Sequence, residues 1–221
     1  MKNKKMHKEG WSTIIVALSV VVISIVVLFV CEAPFWLKAL ILVPEILGSA
    51  VIINFFRYPH RTFRGDTLHD VIAPSDGTIV TIEEVSEPDY FEDKCIQISI
   101  FMSVTNVHAQ WCPLNGQVLK VIHEDGHFKK AYLPKSSNEN ERSTIVIKSD
   151  AGPVIMMRQV AGAVARRIVT YINAGDKSEI NGELGFIKFG SRIDVFVPLN
   201  AEVLVTLGQR VRGNETSIAK I

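Results

Sequence analysis

Near the end of the chain, the run GFIKFGSRIDVF, Gly185 to Phe196, sets a Gly190-Ser191 pair inside residues that otherwise alternate like a half-buried β-strand. Glycine inside a strand marks a bulge or a close approach to the backbone. A serine hydroxyl beside a bare glycine carbonyl also has a chemistry of its own. No side chain shields the Gly190 carbonyl, and glycine admits strained backbone angles. Attack by the Ser191 hydroxyl on that upstream carbonyl exchanges the amide for an ester. β-Elimination then releases the upstream chain and leaves dehydroalanine, whose hydrolysis gives a pyruvoyl group at the new N-terminus. The plain alternative is a β-bulge, and the pair alone does not choose between the two.

A serine hydroxyl is a weak nucleophile until a base takes its proton, and a carboxylate can orient that base. Two segments supply such groups. Ala73-Pro-Ser-Asp76-Gly77 reads by itself as a β-turn with Asp76 as turn former. Phe101 to Pro113, FMSVTNVHAQWCP, runs a strand into an irregular stretch with His108 just past the strand's end; by itself this is a core-edge histidine. Together Asp76, His108 and Ser191 read as acid, base and nucleophile. Other familiar sites are missing from the sequence: no P-loop, no GxGxxG after a strand, no HExxH, no GxSxG and no zinc-type Cys/His spacing. His123 and His127 are four apart, but HEDGH reads as a turn, and two ligands without a third make a poor metal site. No metal is expected.

The elements that must position these groups are short strands. Gly77–Ile82, Lys94–Met102, Gly116–Ile122, Thr144–Lys148, Val154–Val160, Arg192–Val197 and Glu202–Leu207 carry strand patterns. Turn signals separate them at Asn115-Gly116, Asp125-Gly126, Asp150–Pro153, Asn181-Gly182 and Gly213-Asn214. Ala161–Ile172 fits helix or strand equally. The fold class expected is mostly β, an antiparallel sandwich or partly closed barrel.

Residues 1–56 differ in kind. Ser12–Cys31 is an uncharged apolar run of bilayer length, and a second run, Phe35–Phe56, follows the break at Glu32-Ala-Pro34. A signal peptide is a weaker reading, because the first run is long for an h-region and lacks a clean A-x-A site. The expectation is an anchor, 1–56, of two membrane segments, with a β-rich domain over 57–221. Lys2, Lys4, Lys5 and Lys8 precede the first run and Arg57, Arg61 and Arg64 follow the second, so both basic ends are expected in the cytoplasm. Glu45, inside the second run, reads best as a carboxyl near an interface or in a tilted segment.

Mean hydropathy is +0.22, concentrated before Arg57, and the formal net charge of +1 gives no basic field for nucleic acid. Cys31, Cys95 and Cys112 form no CxxC pair and fit a reducing compartment.

The run GELGFIKFGSRIDVFVP resembles the processing segment of phosphatidylserine decarboxylase proenzymes of the short bacterial and archaeal form. FFRYPHR, APSDG, ISIFMSVTNVHAQWCPLNG, NENERS and RQVAGAVARRIVTYINAGD resemble further stretches of that family, over roughly residues 55–221. The resemblance implies cleavage between Gly190 and Ser191 into a β chain, 1–190, and an α chain, 191–221, which stay associated through strands of one sheet system. It implies a pyruvoyl group made from Ser191 that forms an imine (a Schiff base) with phosphatidylserine and accepts electrons as CO2 leaves, giving phosphatidylethanolamine. It implies membrane as a partner, and leaves a homo-oligomer open. It assigns Asp76 to self-processing. Longer relatives have an H-x-x-H pair before the proline; here the first histidine matches His108 and Trp111 holds the second place. The base is therefore His108 for both steps, or a group elsewhere such as His69 or His127. Lys188, Arg192, Arg166 and Arg167 are candidates for the substrate's phosphate or carboxylate, or else solvated strand charges. Lys135–Arg142 reads as a polar loop near an entrance.

Two other readings compete. One is a non-enzymatic, membrane-anchored β-barrel adaptor, which needs no scission. The other keeps the pyruvoyl chemistry with a different amine substrate.

Overall fold

The computed structural model describes residues 5–87, 94–126, 140–162, 167–188 and 191–221. The chain divides into two compact units, Met1–His60 and Arg61–Ile221.

The first unit is a helical hairpin. Helices α1 (Trp11–Val30) and α2 (Phe35–Phe55) are long and apolar enough to cross a membrane, and most of their large side chains are exposed. Pro34 starts α2 at its N-cap, where its fixed φ suits an extended entry into a helix. At the other end of the hairpin, β1 (Lys5–Met6) pairs antiparallel with β2 (Arg57–Tyr58). Gly10 is required there, because a Cβ would lie 2.5 Å from the Phe56 side chain.

The second unit is built of strands: β3 (Asp70–Ile72), β4 (Gly77–Ser86), β5 (Lys94–Met102), β6 (Ala109–Trp111), β7 (Gly116–Glu124), β8 (Arg142–Ser149) and β9 (Val154–Ala161). They are followed by β10 (Arg167–Thr170), β11 (Lys177–Ser178), β12 (Glu183–Lys188), β13 (Ser191–Pro198), β14 (Glu202–Val203), β15 (Arg210–Val211) and β16 (Ser217–Lys220). A curled eight-stranded sheet runs β11-β7-β8-β9-β13-β5-β4-β15, and two three-stranded sheets run β10-β12-β6 and β14-β16-β3, with antiparallel pairing throughout. The strand period puts Ile193, Val195 and Val197 of β13 on one face. They join Ile98, Ile100 and Met102 of β5, Ile155 and Met157 of β9, and Ile168, Leu184 and Ile187 of the smaller sheet in one core. Each such side chain contributes about 1.5–3 kcal/mol on burial.

The mostly β, antiparallel, partly closed architecture agrees with the sequence reading. Three local expectations do not. The stretch Gly185–Phe196 is not one interrupted strand, nor do its two sides share a sheet: β12 lies in a three-stranded sheet and β13 in the eight-stranded one, so the chain changes sheets between 188 and 191. Glu202–Leu207 stops at Val203, because Thr206–Gln209 closes a turn through the Gln209 side chain with Gly208 at φ +80°. His123 and Glu124 lie in β7 rather than in a turn. The undecided stretch after Ala161 contains a strand, β10.

Candidate active site

Ser191 is fully buried at the first position of β13. It sits between Met102, the last residue of β5, and Ala161, the last residue of β9. Its alternation with Ile193 turns the hydroxyl toward the core, where Oγ donates to Met102 Sδ at 3.1 Å. A thioether is a weak acceptor, so this contact orients the hydroxyl without drawing its proton away.

His108 comes six residues after Met102, so the ladder that holds Ser191 also fixes where His108 enters. The link is a turn built on Asn106. Its side-chain oxygen accepts from the Ser103 N–H at 2.9 Å and from Ser103 Oγ at 2.7 Å, and its own N–H donates to the Ser103 carbonyl at 2.9 Å. The Asn106 carbonyl then accepts from His108 Nδ1 at 3.1 Å. A carbonyl only accepts, so Nδ1 carries the hydrogen and, in the neutral ring, Nε2 carries the lone pair. The ring is fully buried, 6.5 Å centroid to centroid from Phe186. Immediately after it, β6 pairs with β12 through Ala109↔Phe186 and Gln110↔Gly185. His108 thus stands beside the end of the strand that leads to residue 190.

Asp76 stands at the same edge of the eight-stranded sheet. One row crosses Thr78, Phe101, Arg192, Val160 and Arg142 on β4, β5, β13, β9 and β8. Asp76 lies two residues before that row on β4 and Ser191 one residue before it on β13. The Asp76 carboxylate is not engaged with Ser191 or His108. Arg61 grips it with both terminal nitrogens, Nη2 to Oδ2 at 2.9 Å and Nη1 to Oδ1, and the Gly213 N–H donates to Oδ1 at 2.9 Å. The Arg61 guanidinium lies 5.3 Å from the Trp111 ring, and the Trp111 N–H donates to the Pro74 carbonyl at 2.9 Å. The acid-bearing turn and the histidine segment are thereby tied together. Gly213 must be glycine here, since a Cβ would lie 2.8 Å from the Trp111 ring.

The remaining candidates separate. Trp111 supplies no base, because an indole nitrogen has no available lone pair. His69 is exposed and paired with Asp66 at 2.9 Å, and His127, Arg166 and Gly190 fall outside the described residues. Arg192 is not a solvated charge: it is buried, with Nε 2.8 Å from Asp194. Arg167 is exposed and Lys188 half-buried. Arg61, one of the basic residues that follow the second apolar run, is paired with Asp76, its side chain only 5% exposed. Of the polar loop, Asn140 is buried and donates to the Ala161 carbonyl at 2.7 Å, while 135–139 fall outside the described residues. Among the described residues no cluster of His, Cys, Asp and Glu is arranged to hold a metal. Burial pushes the Cys112 thiol up and raises Cys95 to about 11, which leaves both as unreactive thiols.

Two residues of the site escaped the sequence reading. Asn106 was readable only as a turn former after a strand, and Arg61 only as a charge after an apolar run.

The sequence model of the phosphatidylserine decarboxylase family matches residues 49–219. Over its whole length the chain is 48% identical to a phosphatidylserine decarboxylase proenzyme of Bacteroides fragilis, covering 97% of that protein. It is 49% identical to the proenzyme of Phocaeicola vulgatus and 47% identical to that of Bacteroides thetaiotaomicron, in each case across 100% of this chain and 97% of the relative.

Proposed function

The chain belongs to the phosphatidylserine decarboxylase family and is a carboxy-lyase; we propose that it cuts itself between Gly190 and Ser191 and then converts phosphatidylserine to phosphatidylethanolamine and CO2. The observation that carries this reading is the place of Ser191: buried, first in a strand held on both sides, its hydroxyl turned into the core at the sheet edge where His108 enters. Family membership sets the adaptor reading aside.

In the self-processing step, Ser191 Oγ attacks the Gly190 carbonyl carbon while His108 Nε2 takes the hydroxyl proton. The C–N bond breaks and the Ser191 nitrogen leaves protonated, giving an ester. Loss of the Ser191 Cα proton expels the Gly190 carboxylate. Water then replaces the residue's nitrogen, which departs as ammonia. No oxidant or reductant is consumed. Asp76 serves by position: with Arg61 it clamps the 73–77 turn against Trp111, and so against the segment that carries His108.

The pyruvoyl group fits this site. It needs a buried N-terminal residue whose chain stays in place after the cut, and β13, β15 and β16 are laddered to β5, β9, β4 and β3. The group supplies a ketone that takes up the substrate amine and draws electrons as CO2 leaves. His108, buried and walled by Phe186, would supply a proton carrier to that group.

A lipid substrate accords with the two apolar helices. We place them in the cell membrane with the catalytic unit on the cytoplasmic side, as the flanking lysines and arginines favour.

The test is the intact mass of the purified protein together with CO2 release from phosphatidylserine. Wild type should appear as two fragments split at Ser191, the smaller bearing a carbonyl, and should release CO2. Ser191→Ala should remain whole and inactive. A whole wild-type chain, or an active Ser191→Ala protein, refutes the reading. Other aminated lipids and free amino acids in the same assay decide whether phosphatidylserine is the amine used.

A further inference from the structure

Gln110 is fully buried in β6, and its side-chain nitrogen has no hydrogen-bond partner among the described residues. Its side-chain oxygen does have one: it accepts from Gln159 Nε2. Gln159 Oε1 accepts in turn from Thr170 Oγ1 at 2.7 Å, and Thr170 Oγ1 lies 2.9 Å from Ser143 Oγ. Four side chains from β6, β9, β10 and β8 thus form a polar chain through the core, complete except for the last donor. A buried donor left unmade costs stability, and native structures seldom keep one without a use.

The register says where that donor lies. Thr170, Gly185 and Gln110 stand in one row across β10, β12 and β6. Gly185 leaves room for the facing sheet, since a Cβ there would lie 2.9 Å from Gln159 Nε2. On that sheet Gln159 is opposite Ile193, two residues from Ser191. On the other, His108 is two residues from Gln110. Same-face residues two apart on a strand are separated by roughly 7 Å. Gln110 is thus two residues from His108 along the chain, and its hydrogen-bond partner Gln159 stands opposite Ile193, two residues from Ser191 on the same strand.

Resting on the function proposed above, we propose that Gln110 Nε2 is the donor to the ketone oxygen formed at residue 191. In the full-length chain, position 191 presents a main-chain N–H, and two donors do not pair. Processing replaces that nitrogen by an oxygen, which accepts. The donor idle before the cut gains its partner after it, and a hydrogen-bonded ketone is more readily attacked by an amine. Gln159, Thr170 and Ser143 fix the amide in advance, so it needs no reorganisation during the reaction.

The experiment is Gln110→Met, read by intact mass, by the carbonyl stretch of carbon-13-labelled residue 191, and by kcat and KM on phosphatidylserine. The expected result is normal cleavage, a ketone band moved to higher wavenumber, and kcat lower by roughly a hundredfold with little change in KM. If that chain does not fold, Gln110→Asn, whose amide is one methylene short, should move the same band the same way. A cleaved variant with an unmoved band overturns the donor and leaves the parent reading standing. So does a folded variant that stays whole, since the amide would then act before the cut. A wild-type chain that never cuts overturns the parent reading, and the donor with it.

Discussion

His108 Nδ1 donates to the main-chain carbonyl of Asn106 at 3.1 Å, so a turn residue two positions upstream decides which ring nitrogen holds the lone pair. The Asn106 side chain closes that turn by accepting from Ser103. Asn106→Ala removes the clasp and leaves the histidine in place. Self-cleavage should slow by roughly tenfold to a hundredfold, short of the loss expected for His108→Ala. Fragment yield against time on a denaturing gel measures both, and equal rates for Asn106→Ala and wild type would show that the turn does not set the ring.

The Arg61–Asp76 pair invites a double-mutant cycle. Both side chains are largely buried, at 5% and 11% exposure. Removing Arg61 strands the buried Asp76 charge, at a cost of about 3–5 kcal/mol, whereas Arg61 keeps Glu215 at 3.8 Å when Asp76 is neutralised. Arg61→Met should destabilise the protein strongly and Asp76→Asn less so, while the double variant should cost clearly less than their sum in denaturant unfolding. Strict additivity would mean the ion pair does not hold the turn.

Glu124 and Arg142 face each other across β7 and β8 with two 2.7 Å hydrogen bonds. The Arg142 side chain holds the Glu124 carboxyl below its ordinary 4.5. A lowered carboxylate stabilises the fold above its unfolded value, and that stability is lost as pH falls through the native one. Glu124 is 43% exposed, so solvent screening keeps the effect small, under about 1 kcal/mol. Glu124→Gln should flatten the stability profile below pH 4.5 and lower stability at pH 7 by that same small amount, converging with wild type at acid pH. A profile unchanged below pH 4.5 would show the pair contributes nothing.

How far the sequence could be read depends on the range of each interaction. Ser191 and His108 can be singled out from sequence because their signals are local: a glycine-serine pair inside a strand pattern and a histidine just past a strand end. The change of sheet between 188 and 191 was not, since alternation looks the same whichever sheet a strand joins. Arg61 reads in the sequence only as a basic flank after an apolar run, and nothing in the spacing names a carboxylate fifteen residues away. The chain from Ser143 to Gln110 depends on one sheet lying over another, a relation that no strand period encodes. Glycines such as Gly185 and Gly213 looked like strand breakers or turn formers, whereas their missing side chains make room for Gln159 and Trp111.

The thiols give a simple chemical check. Cys95 is raised to about 11 and Cys112 is also raised, both chiefly by burial. The thiolate is the reactive form, so alkylation at pH 8 should leave both untouched in the folded protein and modify both after denaturation. Modification of either in the native state would mean that the core opens there.

Within the hairpin, Ser24 Oγ donates to Glu45 Oε1 at 2.8 Å and joins α1 to α2. Both helices are apolar almost throughout, so shape alone offers little to fix their register, and hydrocarbon gives no advantage to apolar contact between them. A single polar link can therefore set the pairing, with a contribution of about 0.6–2 kcal/mol. Glu45→Gln keeps an acceptor for the serine and should preserve the pairing, whereas Glu45→Leu and Ser24→Ala should each weaken it. The double variant Ser24→Ala/Glu45→Leu should be no worse than the weaker of the two single variants, because the same bond is removed. Disulfide cross-linking between cysteine pairs placed on α1 and α2, in lipid bilayers, reads the register directly. If Glu45→Leu and wild type cross-link with the same pattern and yield, the helices are paired by packing, and the carboxyl in the second helix needs another explanation.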